Sequence, residues 1–155
     1  MTRADIGIRR EDKNRWERRA PLTPAHVQEL VREQGRSVVV QPSPLRIYLD
    51  DDYRAAGAVV DEDLSGCRVI LAVKEVPPPL LIPGRTYLFF SHVIKGQASN
   101  MPMLRQVLER RCTLIDYEPI LDRHGRRLIF FGRHAGYTGM IDALWAEGDL
   151  PLPGH

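Results

Sequence analysis

The sequence has little of what marks a membrane, secreted or disordered protein. No apolar run approaches the roughly 20 residues that a membrane-spanning helix needs, and the N-terminus has no apolar signal segment. The two cysteines, Cys67 and Cys112, have a spacing that fits neither a zinc knuckle nor a disulfide framework. These absences predict a cytoplasmic protein with buried, reduced thiols.

An excess of charge of one sign is also missing. The 22 basic and 20 acidic residues leave a formal net charge of +2. The most basic stretch runs from Arg9 to Arg19 and is interrupted by three acidic residues. A solvated face of mixed charge explains this stretch better than a track for phosphates, so we expect no nucleic-acid binding. The hydrophobic content of 43% over 155 residues predicts a folded domain.

Nucleotide-binding and metal-binding motifs are absent from the sequence as well. Gly132, Gly136 and Gly139 cluster near the C-terminus, but a dinucleotide fingerprint needs G-x-G-x-x-G between a strand and a helix, with an acidic residue about twenty positions later. We interpret these glycines as allowing close packing of a helix. No Walker motif, zinc-ligand spacing or G-x-S-x-G elbow occurs. We therefore expect no bound metal and no cofactor-binding residues in this chain.

Strand and helix patterns alternate along the chain. Thr23 is a good N-cap, Pro24 suits the first helical position, and Gly35 ends the helix. Short runs rich in β-branched and aromatic residues predict strands at 5–9, 37–41, 58–60, 68–73, 86–91 and 113–117. Helical spacing predicts helices at 24–34, 50–57, 100–111 and 136–147.

This alternation predicts an α/β fold, a three-layer sandwich with a mostly parallel sheet of the Rossmann-like or flavodoxin-like kind. Segments 118–122 and 126–131 flank a turn and predict a hairpin that makes one edge of the sheet mixed. We assign residues 1–147 to the domain and 148–155 to a polar tail. The ligand crevice is expected at the carboxyl ends of the strands.

Two side chains that can carry protons follow predicted buried strands. Lys74 ends the run RVILAVK, and a partly buried ammonium gives up its proton more easily than a hydrated one. A lysine whose stem packs while its head stays hydrated is the alternative. His92 ends the run TYLFFSH and is either a proton carrier or a core histidine with both nitrogens bonded.

An arginine near these groups would suit a carboxylate ligand, because its planar fork binds a carboxylate bidentately. Arg19 precedes the first helix, but the residues alone do not separate it from Arg15 or Arg18, or from a solvated arginine. Lys95 and Glu118 are weaker candidates for the same cleft. These groups together would suit a keto acid.

Five longer segments follow one another along the chain, and this ordered series identifies a protein family more specifically than any single segment does. The segments are GIRREDKNRWERRAPLTP, VKEVPPP, FFSHVIKGQASNMPML, LIDYEPILDRHGRRLIFFG and AGYTGMIDALWA. Together they resemble the N-terminal domain of the alanine dehydrogenase and transhydrogenase superfamily. More narrowly, they resemble the lysine–2-oxoglutarate reductase half of aminoadipic semialdehyde synthase and the saccharopine dehydrogenases. The similarity extends from about Ile6 to Trp145.

The resemblance implies a role for each candidate residue. Arg19 matches the family's arginine that binds the substrate carboxylate. Lys74 and His92 match its acid–base lysine and the partner histidine. Lys95 and Glu118 match residues that line the family's cleft.

The resemblance also implies a reaction: lysine and 2-oxoglutarate condense to an imine with loss of water, and hydride from the reduced form of an NADP or NAD cofactor (NADPH or NADH) reduces the imine to saccharopine. The family's cofactor binds mainly to a Rossmann domain that is not present in this chain, so the isolated domain is expected at most to bind an amino acid or keto acid. The missing domain could be a separate polypeptide, or the chain could be a piece of a longer one. Alternatives are a non-catalytic binding module, or an interaction domain that forms a homo-oligomer.

Overall fold

Six short strands form one parallel sheet in the computed structural model, which describes residues 4–94 and 96–146. Most of the strands are rich in β-branched residues, which pack well on a pleated surface. The strands are β1 (Ala4–Ile8), β2 (Val38–Val40), β3 (Val59–Val60), β4 (Cys67–Leu71), β5 (Thr86–Phe89) and β6 (Thr113–Asp116). The helices are α1 (Pro24–Arg32), α2 (Asp50–Ala55), α3 (Met101–Glu109) and α4 (Gly132–Ala146).

The strand order is β3-β2-β1-β4-β5-β6, and each neighbouring pair runs parallel. β1 lies at the centre, where Ile6 is level with Val38 of β2 and with Val69 of β4. Since parallel strands all end at the same edge, the segments after β1, β4, β5 and β6 come together there. This edge is called the carboxyl edge below.

Helices cover both faces of the sheet and give it three layers. α1 and α2 pack on one face, where Val27 and Tyr53 are fully buried beside side chains of β1 and β2. α3 packs on the other face through Met103 and Val107. The two hydrophobic clusters fix the sheet between the helix layers, and so they fix the positions of the loops at its carboxyl edge.

The predicted three-layer α/β sandwich with a mostly parallel sheet is therefore confirmed. Thr23 accepts a hydrogen bond from the His26 amide at 3.3 Å and caps α1, as its position in the sequence predicts. Gly35, beyond the end of α1, has a φ of +62°, which favours glycine. The prediction of buried, reduced thiols is confirmed for Cys67, which is buried, whereas Cys112 is only half-buried; both are free. Burial raises the pKa of Cys67 to about 11.

The predicted mixed edge is wrong. Every strand pairing in the described sheet is parallel, and segments 118–122 and 126–131 form a single isolated antiparallel bridge between Leu121 and Arg127. The turn itself is present, because the Asp122 amide donates to the Arg126 carbonyl at 2.9 Å. Pro119 lacks the amide hydrogen that a ladder requires, and the neighbouring residues are largely charged, so no strand extends from the bridge.

The chain divides into two compact units, one up to Glu118 and one from Pro119 onward. The second unit contains the turn and α4, whose glycines and apolar residues lie on all sides of the helix. The predicted tail at 148–155 lies outside the described residues, so the boundary at residue 147 stays a prediction. Among residues 4–94 and 96–146, no helix combines the length and apolar character needed to cross a membrane.

Candidate functional site

The loop between β1 and α1 carries a charged pair at the carboxyl edge. The Nε and Nη2 atoms of Arg19 donate to the two carboxylate oxygens of Glu17 at 2.7 and 2.6 Å. Glu17 is buried, whereas 42% of the Arg19 side chain is exposed. The hydrogen bond from Arg19 lowers the pKa of Glu17, and the same hydrogen bond raises the pKa of Arg19. The pair therefore fixes the plane of a guanidinium that solvent can reach.

A second carboxylate of this loop lies beneath the end of β4. Glu11 is buried, and its two oxygens accept hydrogen bonds from the backbone amides of Val73 at 2.7 Å and Lys74 at 2.9 Å. Burial raises the pKa of Glu11 even though both amides favour the ionised form. Glu11 thus fixes the backbone from which the Lys74 side chain extends.

Arg19 and Lys74 are close enough to share these two carboxylates electrostatically. The positive charge of Lys74 contributes, after the contacts of Arg19, to the lowered pKa of Glu17. The negative charge of Glu11 contributes, after Glu17, to the raised pKa of Arg19. Two cations and two carboxylates from the loop after β1 and the end of β4 therefore form one cluster.

His92 follows β5 and has an unusual backbone conformation. Its φ of +53° lies in the left-handed region, which non-glycine residues seldom adopt. The imidazole stacks on Phe90, with ring centroids 6.3 Å apart and an interplanar angle of 19°. Its Nδ1 lies 3.6 Å from an Oε atom of Glu118, which follows β6. Backbone, stacking and carboxylate together orient the ring, which is 41% exposed.

Aromatic rings connect the histidine to the cluster around Lys74. Phe90 contacts Tyr117 edge to face, with centroids 5.2 Å apart. Burial, and then the negative charge of Glu11, raise the pKa of Tyr117 far above that of a free tyrosine. Tyr117 therefore contacts the ring that supports His92 and lies close enough to Glu11 to be affected by its charge.

Hydrogen bonds at the ends of β5 and β6 support the histidine and its carboxylate. The buried hydroxyl of Ser91 donates to one oxygen of Asp116. The other oxygen of Asp116 accepts from the Glu118 amide at 2.8 Å. Because Ser91 precedes His92, this one carboxylate ties together the segments that carry His92 and Glu118.

Glu75 is a further carboxylate between the loop after β1 and the histidine. It forms an ion pair with Lys13. Burial alone would raise the pKa of Glu75. The contact with Lys13, then the backbone amide of Glu75 itself and then the electrostatic effect of His92 each lower this pKa, and the net shift is downward. The remaining oxygen of Glu75 is buried and has no hydrogen-bond partner among the described residues.

Four of the five predicted site residues thus lie at the carboxyl edge: Arg19 and Lys74 in one cluster, His92 and Glu118 in contact. The structure connects the two pairs through Tyr117 and Phe90. Lys95 lies outside the described residues. The catalytic and substrate-binding roles of all five stay predictions.

Sequence reasoning missed the buried carboxylates of this site. It assigned the charged stretch after β1 to a solvated face, and this is wrong for Glu11 and Glu17, which are 7% and 8% exposed, and for Arg9, which is 8% exposed. For Glu17 a signal was present, because Arg19, with which it pairs, lies two positions away in the sequence. The sequence separation of Glu11 from Lys74 gave no sign of their contact.

Neither a metal nor a dinucleotide has an evident site in the described residues. Across 4–94 and 96–146, no group of three or more His, Cys, Asp or Glu side chains is arranged to hold a metal ion. Gly132, Gly136 and Gly139 all lie in α4, and not in a turn between a strand and a helix. That arrangement does not fit a dinucleotide phosphate, which needs a glycine turn at a helix N-terminus.

Comparison with known proteins gives a family match over most of the chain. Residues 7–138 match the family described as "Alanine dehydrogenase/PNT, N-terminal domain". The chain is 43% identical over 152 residues to alpha-aminoadipic semialdehyde synthase of Arabidopsis thaliana, covering 95% of this chain and 14% of that protein. It is 44% identical over 146 residues to the mitochondrial alpha-aminoadipic semialdehyde synthase of Bos taurus, covering 94% of this chain and 16% of that protein.

A second group of relatives is shorter. The chain is 36% identical over 138 residues to saccharopine dehydrogenase [NAD(+), L-lysine-forming] of Candida glabrata, covering 84% of this chain and 37% of that protein. The chain therefore spans about a seventh of the length of the synthases and just over a third of the dehydrogenase.

The Glu17–Arg19 pair predicts an acid-sensitive contribution to stability. The pKa of Glu17 is lowered from 4.5 in the folded state, so the folded protein binds this proton less readily than the unfolded chain does. The contribution is complete above pH 4.5 and is lost as the pH falls through the lowered value. Urea unfolding of the wild type and of Glu17→Gln should therefore differ most at neutral pH, and the difference should shrink in acid. A difference that is independent of pH would contradict the ion pair.

Proposed function

Because the chain belongs to the alanine dehydrogenase/PNT N-terminal domain family, we propose that it is the substrate-binding and acid–base domain of an oxidoreductase that joins lysine to 2-oxoglutarate and forms saccharopine. The names of the relatives support lysine and saccharopine as the substrate class. These relatives are aminoadipic semialdehyde synthase and saccharopine dehydrogenase. The observation that carries the proposal is the arrangement at the carboxyl edge, where Arg19, Lys74 and His92 follow adjacent strands of one sheet.

Arg19 would bind a carboxylate of the keto acid. Glu17 holds the guanidinium plane through two hydrogen bonds, and 42% of the side chain is exposed for a ligand to approach. A guanidinium that is already oriented loses less conformational entropy on binding, and it would hold the ketone in a fixed position relative to the attacking amine.

Lys74 and His92 would move the protons that the condensation requires. Attack of the amine on the ketone gives a carbinolamine, which must lose water to form the imine, and each step needs a proton donor or acceptor. Glu118 faces Nδ1 of His92 and would leave Nε2 for the substrate. Glu11 fixes the backbone of Lys74, so that its ammonium stays near the carboxylate of Glu17.

Reduction of the imine would require a nicotinamide cofactor, which supplies hydride. The Candida glabrata relative is named for NAD(+), but the glycines of α4 do not fit a dinucleotide. We therefore assign the cofactor, NADP or NAD, to a separate Rossmann domain. The described residues would supply substrate binding, orientation and proton transfer.

The binding role of Arg19 can be tested by titration calorimetry with 2-oxoglutarate. Arg19→Gln should weaken binding at least about tenfold, because it removes charge-assisted hydrogen bonds worth about 1.5–3 kcal/mol each. Arg15→Gln is the matched control, since Arg15 is exposed in the same loop and stacks on Trp16. Equal losses in the two variants would show that only the net charge matters and would refute the assignment.

The acid–base role needs a rate measurement with a cofactor domain present. When the chain is combined with a cofactor-binding Rossmann domain of this family, lysine and 2-oxoglutarate should cause oxidation of NADPH or NADH. Lys74→Met and His92→Gln should each lower kcat about 10²- to 10⁴-fold. Affinity for 2-oxoglutarate should stay within a few-fold, because neither change removes Arg19. Variants that keep the wild-type rate would contradict the proton-transfer roles.

An interaction domain is the second candidate, and the surface of α4 favours it. Met140, Ile141, Leu144 and Trp145 are each between 37% and 67% exposed. An exposed apolar surface of this kind commonly marks a site of protein association. In this alternative the domain would form a homo-oligomer through α4. It could do so whether or not it binds an amino acid or keto acid.

Sedimentation velocity distinguishes this second candidate. If α4 mediates association, the chain should form a defined dimer that Trp145→Ala weakens by about tenfold or more, because aromatic residues dominate such interfaces. Trp16→Ala is the matched control, since Trp16 is 74% exposed and lies in the loop after β1. A monomer at all concentrations, or an equal effect of both substitutions, would rule out this association.

A further inference from the structure

A cavity of about 480 Å³ lies at the amino edge of the sheet, where the strands begin. It is at the opposite end of the strands from the candidate site and contains none of that site's residues. Three arginines from three separate segments line it: Arg36 precedes β2, Arg68 lies in β4 and Arg85 precedes β5.

The lining residues of this cavity carry more positive than negative charge. Asp5 is the one carboxylate among those lining residues. It already accepts hydrogen bonds from the amide and the hydroxyl of Ser37, both at 3.1 Å. These hydrogen bonds, followed by the charges of Arg36 and Arg68, lower the pKa of Asp5, so it is ionised at neutral pH. The lining therefore carries three guanidinium groups and one carboxylate.

Arg85 is held in place at this cavity. Its Nη2 donates to the Ser65 carbonyl at 2.6 Å, and its Nε is buried with no hydrogen-bond partner among residues 4–94 and 96–146. The chain thus keeps part of this guanidinium away from water without a full set of partners. A buried donor without a partner is unfavourable for folding, so stability alone explains this position poorly.

The rest of the lining suits a small organic ligand. Ile6 and Val69 supply an apolar floor, and Thr86 adds a hydroxyl group. The volume falls within the range of about 300–1,000 Å³ that is usual for small-molecule sites. Guanidinium groups bind phosphate and carboxylate groups bidentately.

We propose that the cavity formed by Arg36, Arg68 and Arg85 binds a small anion with two or more phosphate or carboxylate groups, at a site separate from the substrate site. Such a ligand would neutralise the surplus guanidinium charge and bridge the beginnings of β4 and β5. The site would be regulatory or accessory, since the length of the strands separates it from Lys74 and His92.

Calorimetry with pyrophosphate and with citrate, in buffer of low ionic strength, tests the proposal. At least one probe should bind, and Arg68→Gln and Arg36→Gln should each weaken that binding about tenfold or more. Arg105→Gln is the matched control, because Arg105 is exposed on α3 and carries the same charge. The probe that binds more tightly identifies phosphate or carboxylate as the preferred group.

Two further measurements locate the site. Amide resonances of Val69 and Thr86 should shift on titration, and Arg19→Gln should leave the affinity for the probe unchanged. This variant separates the anion site from the proposed substrate site, so that either can fail without the other. No binding of either probe at millimolar concentration, or equal weakening by Arg105→Gln, would overturn the proposal.

Discussion

The geometry of the candidate site depends on one buried carboxylate, that of Glu11. Its two oxygens hold consecutive backbone amides at the end of β4, so the loop after β1 cannot move independently of Lys74. Burying this charge is costly, as the raised pKa of Glu11 shows. Hydrogen bonds to a charged group contribute about 1.5–3 kcal/mol each and offset part of that cost. The same loop carries Glu17 and Arg19, so the position of the guanidinium follows from this attachment.

Two layers of support surround the groups proposed to act on substrate. Glu17 orients Arg19, and the Phe90 ring and Glu118 orient His92. Behind them, Asp116 joins Ser91 to the Glu118 amide and so connects β5 to β6. Orientation of this kind lets a site position a substrate without large rearrangement, because Phe90 and Glu118 lie close to the ends of β5 and β6, and Glu17 lies in the loop that Glu11 attaches to the end of β4. The parallel sheet brings these strand ends together at one edge.

Much of this arrangement could be predicted from local sequence. The apolar runs before Lys74 and His92 indicated buried strands, and parallel strands that end together place both residues at one edge. The hairpin prediction failed because alternation around a turn does not show whether a segment has a free sheet edge to join, and Pro119 removes one of the needed donors. The burial of Glu11 could not be predicted, since its partners lie 62 and 63 residues away in sequence.

The left-handed backbone at His92 restricts what can replace that residue. A β-branched side chain would collide with its own backbone at a φ of +53°, whereas glycine or asparagine would fit but would lack a proton-carrying ring. The backbone conformation and the need for a proton carrier therefore each restrict which residue types can occupy position 92. Histidine is one of few residues that meet both requirements. A relative that lost the imidazole could keep the loop, but one that acquired valine or isoleucine would have to rebuild it.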